Sequence, residues 1–151
     1  MFLQRDFGTA KIYFSKAIKE EPLNHSLWNK YGAACAQLLE TEQSKKAYKM
    51  AIDLRPNYVR TIVNLGLSHN NQANFQAGAN CFLNALLLQP NLDHVRTYLQ
   101  TAFIQMKRFD LLEKLKSMDY SLFRDEFELL DPDNMQQQSL DELYAHEIFH
   151  E

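Results

Sequence analysis

Glycine and proline are scarce in this chain, with only four of each among 151 residues. Because these two residues supply the tight turns of hairpins, their scarcity leaves little room for β-strands. The two cysteines, Cys35 and Cys81, are expected at repeat positions that face other helices, and two unpaired thiols suit a reducing compartment. The sequence contains no run of about 18 apolar residues, which excludes a transmembrane helix. The first residues also lack the apolar core of a secretory signal, so we expect a cytoplasmic protein.

The net charge of −3 conceals an uneven distribution along the chain. Residues 1–109 contain 13 Lys and Arg against 7 acidic residues, whereas residues 110–151 contain 3 against 12. The first part therefore carries +6 and the acidic tail −9. A basic surface suits a ligand with a carboxylate, and the tail either screens that surface or keeps the protein in solution. A basic stripe with interleaved aromatic residues is lacking, which argues against nucleic-acid binding.

Several residue types recur in this sequence at intervals of 34 positions. Three sets share this register, one aromatic, one of alanine and one of proline: Phe14, Tyr48 and Phe82; Ala17, Ala51 and Ala85; Pro22, Pro56 and Pro90. Gly32 and Gly66 are in step with them, and both the period and the residue pattern resemble those of tetratricopeptide repeats. The sequence therefore predicts an all-α superhelix of antiparallel helix pairs with a C-terminal helical cap. Such scaffolds bind ligands on a concave surface, which favours a binding protein over an enzyme.

The repeat array is expected over residues 1–130, followed by an acidic C-terminal extension over 131–151. Within the array we expect a partial first repeat at 1–22, full repeats at 25–56 and 59–90, and capping helices over 93–130. The first helix, expected at 5–20, lacks most of its partner helix. Because a repeat buries its apolar face against its neighbours, we expect either a fragment of a longer array or a truncated gene product.

Polar side chains share one side of two expected helices when the residues are placed 100° apart. On the helix that begins near residue 59 they lie opposite an apolar side, and are Arg60, Asn64, Ser68 and Asn71. On the first helix of the preceding repeat the corresponding residues are Ser26, Asn29, Lys30, Ala33 and Gln37. Asparagine amides both donate and accept, so they can pair with the backbone of an extended peptide. Arg60 or Lys30 can supply charge for a terminal carboxylate. The alternative is that these are solvated surface residues, with Asn71 serving as a helix cap.

The segments around these residues resemble the last repeats of the peroxisomal targeting signal receptor family, peroxin-5. The similar stretches are WNK-x-G-A, from Trp28 to Ala33, and P-x-Y-x-R-x3-N-L-G, from Pro56 to Gly66. The resemblance covers residues 5–90 and continues weakly to about 130. It implies a non-enzymatic receptor, or receptor fragment, that recognises the C-terminal Ser-Lys-Leu-type signal of peroxisomal matrix proteins. It also implies peroxisomal docking proteins as partners and shuttling between the cytoplasm and the peroxisome membrane.

The resemblance further implies which residues hold the signal. Asn29, Arg60, Asn64 and Asn71 would form the C-terminal half of the pocket, with Ala33 as a nearby contact. The family's N-terminal repeat cluster, which supplies further asparagines and the acidic residues that face the ligand's lysine, has no counterpart in this sequence.

Two other functions fit a repeat array. A co-chaperone or adaptor would bind the acidic C-terminal tail of a heat-shock chaperone through several Lys and Arg residues. Here asparagines outnumber Lys30 and Arg60 on the polar sides, which favours a less acidic ligand. A scaffold fragment would instead use its convex face and bind no free C-terminus.

The segment from His146 to His150 matches the H-E-x-x-H pattern of zinc proteases. A third downstream ligand does not follow it within the sequence, and we see no strand that could bind a substrate backbone. We therefore predict adventitious metal binding there at most, and expect no catalytic residues, no specific metal site and no cofactor.

Overall fold

The computed structural model describes residues 6–130, and helices make up most of this part of the chain. Seven α-helices and one 3₁₀ turn are found within it. They are α1 Phe7–Glu20, α2 His25–Gln37, α3 Thr41–Leu54, α4 Val59–Asn71, α5 Phe75–Leu88, α6 Asp93–Gln105, α7 Phe109–Leu115 and the 3₁₀ turn Tyr120–Phe123. The absence of strands among residues 6–130 confirms the all-α prediction.

The start positions of the helices repeat every 34 residues, and this holds even for α6 and α7, where the residue pattern is incomplete. Helices α2, α4 and α6 each have 13 residues and begin at positions 25, 59 and 93. Helices α1, α3 and α5 each have 14 residues and begin at 7, 41 and 75, and α7 begins at 109. Successive helix pairs of this kind are consistent with a tetratricopeptide superhelix, as predicted. The pair formed by α6 and α7, expected as capping helices, keeps the same spacing.

Each pair is joined by the same tight turn. A residue in the left-handed region follows α2, α4 and α6, namely Leu39 with φ 61°, Ala73 with φ 60° and Lys107 with φ 58°. After α2 the amide of Glu40 donates to the carbonyl of Cys35 at 2.9 Å, and the amide of Leu39 donates to that of Ala36 at 3.1 Å. Equivalent bonds of 2.9 to 3.0 Å close the other two turns. This is the Schellman motif, which satisfies the last carbonyls of a helix.

Glycine is required where two helices of a pair approach each other. A Cβ added to Gly32 would lie 2.7 Å from the Tyr48 ring, and one added to Gly66 would lie 2.7 Å from the Phe82 ring. Tyr48 is 3% exposed and Phe82 fully buried, so neither ring has space to move aside. The repeated glycine and aromatic positions are therefore the two sides of one contact, which recurs once per repeat.

The described residues form two compact units, 6–61 and 62–130. In the first unit α2 packs on α1 and α3 around small residues, with Cys35 and Ala51 fully buried. In the second unit α6 packs on α5 and α7. Its aromatic core includes Phe103, which is stacked on Phe123 with ring centroids 5.7 Å apart.

Candidate functional site

Three of the predicted peptide-binding residues lie on α2. The helix is capped by Asn24, whose side-chain oxygen accepts from the amide of Ser26 at 3.1 Å. Asn29 is only 8% exposed, although the periodicity placed it on the polar side. Lys30 is exposed and Ala33 is half-buried. Lys30 and Ala33 are therefore the accessible members of this group.

Lys30 and Ala33 line a cleft between α1 and α2. The cleft has a volume of about 340 Å³, and α1 contributes Phe7, Ala10 and Phe14 to its wall. The remaining lining residues are Ala34 and Gln37 of α2. Its surface is thus mostly apolar, with one primary ammonium group and one amide. Such a cleft can take an aliphatic side chain while Lys30 offers its charge to a nearby carboxylate.

Sequence reasoning missed the part of the cleft that α1 supplies. Phe14 was recognised only as an aromatic position of the repeat, and no binding role was expected for Phe7 or Ala10. The signal that could have found them is their spacing, because positions 7, 10 and 14 share one side of a helix. The structure shows that this side contributes to an open cleft as well as to packing.

The other predicted residues lie on α4. Arg60 and Asn71, at the two ends of the helix, are exposed, and Asn64 is half-buried. Ser68 is only 5% exposed, and Thr61, seven positions earlier in the chain, is fully buried. Asn29, Lys30, Ala33 and Arg60 belong to the first unit, whereas Asn64, Ser68 and Asn71 belong to the second. Their shared role in one binding site stays a prediction.

Two further titratable side chains of α1 and α2, Lys11 and Cys35, have shifted pKa values. Lys11 of α1 is paired with Glu40, and the hydrogen bond to this carboxylate raises the pKa of Lys11. The thiol of Cys35, which is fully buried on α2, has its pKa raised by desolvation. A buried thiol with a raised pKa remains protonated and unreactive, which fits the packing role expected of this cysteine.

Residues 6–130 contain no group of three His, Cys, Asp or Glu side chains that could hold a metal ion. The H-E-x-x-H segment, His146 to His150, lies outside the described residues. Among the described helices, none is both long and apolar enough to cross a membrane.

Comparison with known proteins identifies relatives over most of this chain. The peroxisomal targeting signal receptor of Candida albicans is 35% identical, and the alignment covers 83% of this chain and 24% of the receptor. The receptor of Kluyveromyces lactis is 30% identical over the same shares. The chain is homologous to peroxisomal targeting signal receptors. The peroxisomal targeting signal 1 receptor of Dictyostelium discoideum is 34% identical, with 83% of this chain and 19% of the receptor covered.

These homologues confirm the family resemblance expected from the WNK-x-G-A and P-x-Y-x-R-x3-N-L-G stretches. The chain corresponds to the C-terminal region of the receptors and spans about a quarter of their length. No protein-family model matches the chain. The names of the homologues describe a targeting receptor, which is a non-enzymatic role, and they do not favour the co-chaperone alternative.

Proposed function

We propose that this chain is a non-enzymatic receptor, or part of one, for the C-terminal Ser-Lys-Leu-type signal of peroxisomal matrix proteins. The observation that carries the proposal is the homology, across 83% of the chain, to proteins named as peroxisomal targeting signal receptors. The polar residues on α2 and α4 supply the chemistry that an extended peptide with a free carboxylate requires.

The α1–α2 cleft supports this ligand class. A signal that ends in leucine offers an aliphatic side chain and a carboxylate on the same residue. The cleft offers an apolar wall formed by Phe7, Phe14 and Ala33, with Lys30 beside it. We propose that the terminal leucine side chain occupies this cleft and that Lys30 attracts the carboxylate.

The remaining predicted residues are assigned to the peptide backbone and the carboxylate. We propose that Asn64 and Arg60 anchor the C-terminal end of the signal and that Asn29 and Asn71 hold its backbone, with Ser68 as an additional polar contact. Because Asn29 and Ser68 are mostly buried, their contribution depends on the backbone approaching α2 and α4 closely. We further propose peroxisomal docking proteins as partners and movement between the cytoplasm and the peroxisome membrane.

The test is a fluorescence titration of the full chain with a labelled peptide that ends in Ser-Lys-Leu. The same peptide amidated at its C-terminus removes the carboxylate, and a peptide ending in Glu-Glu-Val-Asp represents the co-chaperone alternative. Binding that requires the free carboxylate and prefers Ser-Lys-Leu would support the receptor function. Equal binding of the acid and the amide would contradict it.

Point variants then test the assigned residues. Losing one charge-assisted hydrogen bond costs about 1.5–3 kcal/mol, so Asn64→Ala and Arg60→Ala should each weaken binding roughly ten- to hundredfold. Lys30→Ala should also weaken binding, whereas Lys46→Ala, which removes an exposed lysine from α3, should not. Ala33→Leu should fill the cleft and exclude the leucine side chain. Unchanged affinity in either Asn64→Ala or Arg60→Ala would refute the assignment.

A further inference from the structure

Helix α5 carries three amide side chains that are one turn apart. Gln76, Asn80 and Asn84 are separated by four residues each, so they lie along one side of the helix. We call these three residues the α5 ladder. Asn84 is only 6% exposed, although asparagine is among the weaker helix formers. Alanine has a higher helix propensity than asparagine or glutamine, so helix formation does not account for the three amide side chains.

The α5 ladder binds the backbone of residues 126–130, which we call the strap. Asn84 donates from Nδ2 to the carbonyl of Glu128 at 3.0 Å, and its Oδ1 accepts from the amide of Leu130 at 2.7 Å. Asn80 Oδ1 accepts from the amide of Glu128 at 2.8 Å. Gln76 Nε2 donates to the carbonyl of Glu126 at 3.3 Å. Every one of these bonds goes to main-chain atoms of the strap.

Side chains hold the strap at its first two residues. Phe127 is 6% exposed, and its ring centroid lies 6.1 Å from that of Phe103 and 6.2 Å from that of Phe123. The carboxylate of Glu126 pairs with Arg108 at 2.8 Å. The strap is therefore held by an ion pair at Glu126, by the buried ring of Phe127 and by hydrogen bonds between its main chain and the α5 ladder.

The hydrogen bonds of Asn84 to the strap resemble those that a neighbouring β-strand would make. It pairs with one C=O group and one N–H group that lie two residues apart in the strap. A carboxamide can do this because it is both a donor and an acceptor. Since these bonds do not depend on the side chains of the strap, the α5 ladder can bind any extended segment that places an aromatic residue in the same pocket.

We propose that the α5 ladder is a second peptide-binding site, separate from the proposed signal site, and that the strap occupies it as an internal ligand. The external ligand is an extended peptide with an acidic residue followed by phenylalanine, as Glu126 and Phe127 are in the strap. A tethered segment competes at an effective concentration of about millimolar, so an external peptide binds only when the strap is weakened.

The experiment measures binding of a fluorescent peptide with the sequence of residues 124–130, acetylated and amidated at its ends. The amide removes the free carboxylate, so the peptide does not test the signal site. It is titrated against the full unmodified chain and against two variants with a weakened strap. Phe127→Ser removes the aromatic anchor. Glu128→Pro combined with Leu130→Pro removes both strap N–H donors and leaves Phe127 in place.

Both variants should bind the peptide at least about tenfold more tightly than the unmodified chain. Adding Asn84→Ala to the double-proline variant should weaken binding by roughly tenfold or more, because two hydrogen bonds are lost. Adding Gln100→Ala, which removes an exposed amide from α6, should leave binding unchanged. Far-UV circular dichroism checks that each variant retains its helical content. If Phe127→Ser loses helical content, the proposal is tested with the double-proline variant alone.

Absence of peptide binding to a folded strap variant would overturn the proposal, and so would binding that Asn84→Ala does not weaken. In either case the α5 ladder would serve only to fasten the end of the second unit. A parallel titration with the Ser-Lys-Leu peptide separates this result from the receptor function, because Asn84→Ala should not change its affinity.

Discussion

Replacing Gly66 by alanine tests whether the close approach of α4 and α5 controls stability. An added Cβ would lie 2.7 Å from one Phe82 ring carbon, 3.0 Å from a second and 3.0 Å from Cys81 Cβ. Ordinary contact begins near 3.4 Å, so the ring would have to move by about 0.7 Å. Phe82 is fully buried, and close-packed cores resist such a displacement.

Two opposing effects determine the size of the change. Overpacking of a rigid core costs about 2–3 kcal/mol, in the upper half of the usual range. Alanine gains about 1 kcal/mol over glycine in a helix interior. We therefore expect Gly66→Ala to lower the free energy of unfolding by about 1–2 kcal/mol. For a chain of this size that corresponds to a fall in Tm of roughly 3–6 °C.

Thermal and urea denaturation followed by circular dichroism measure this change. Gly8→Ala is the matched control, because its added Cβ would meet only Asp6 Oδ1, at 3.6 Å, and should leave stability unchanged or slightly raised. In a Phe82→Leu background, Gly66→Ala should cost at least about 1 kcal/mol less, since contacting sites couple. A Gly66→Ala protein that is more stable than the parent, or strict additivity with Phe82→Leu, would refute the reasoning.

Further predictions concern the core and the pH dependence. Phe103→Ala should lower stability by about 3–5 kcal/mol in urea denaturation, because the fully buried ring loses its stacking on Phe123; a loss below 1 kcal/mol would contradict this. Burial, and then the charge of Arg55, lower the pKa of His25, so its stabilising effect is complete above pH 6.5 and is lost as the pH falls. His25→Gln should therefore flatten the fall in Tm between about pH 7 and 5 relative to the parent chain; equal slopes in the two proteins would count against this explanation.

The helical architecture was predictable because its signal is carried by side chains. Aromatic, alanine and proline residues recur every 34 positions, and the helices begin at the same interval. The left-handed residues at Leu39, Ala73 and Lys107 were not predictable in this way. None of these three residues is the glycine or asparagine that usually marks such a position. The hydrogen bonds that close each turn hold them in the left-handed conformation.

The candidate site was only partly accessible to sequence reasoning. Lys30 and Ala33 were expected on the polar side of α2, and the structure adds the wall contributed by α1. Asn29 and Ser68 show that a helical wheel cannot say how much of a helix its neighbours cover. The strap could not be found, because its hydrogen bonds join residues 44 to 50 positions apart and use backbone atoms that carry no sequence signature.

The turn that follows α2, α4 and α6 recurs although the side chains of the repeats differ. In the third pair the repeat glycine is replaced by Gln100, and yet α6 and α7 begin in register with the pairs before them. The periodicity is thus retained by the main chain after the consensus side chains have changed. A count of repeats based on the repeat residues alone would therefore miss the α6–α7 pair, although its helices begin in register.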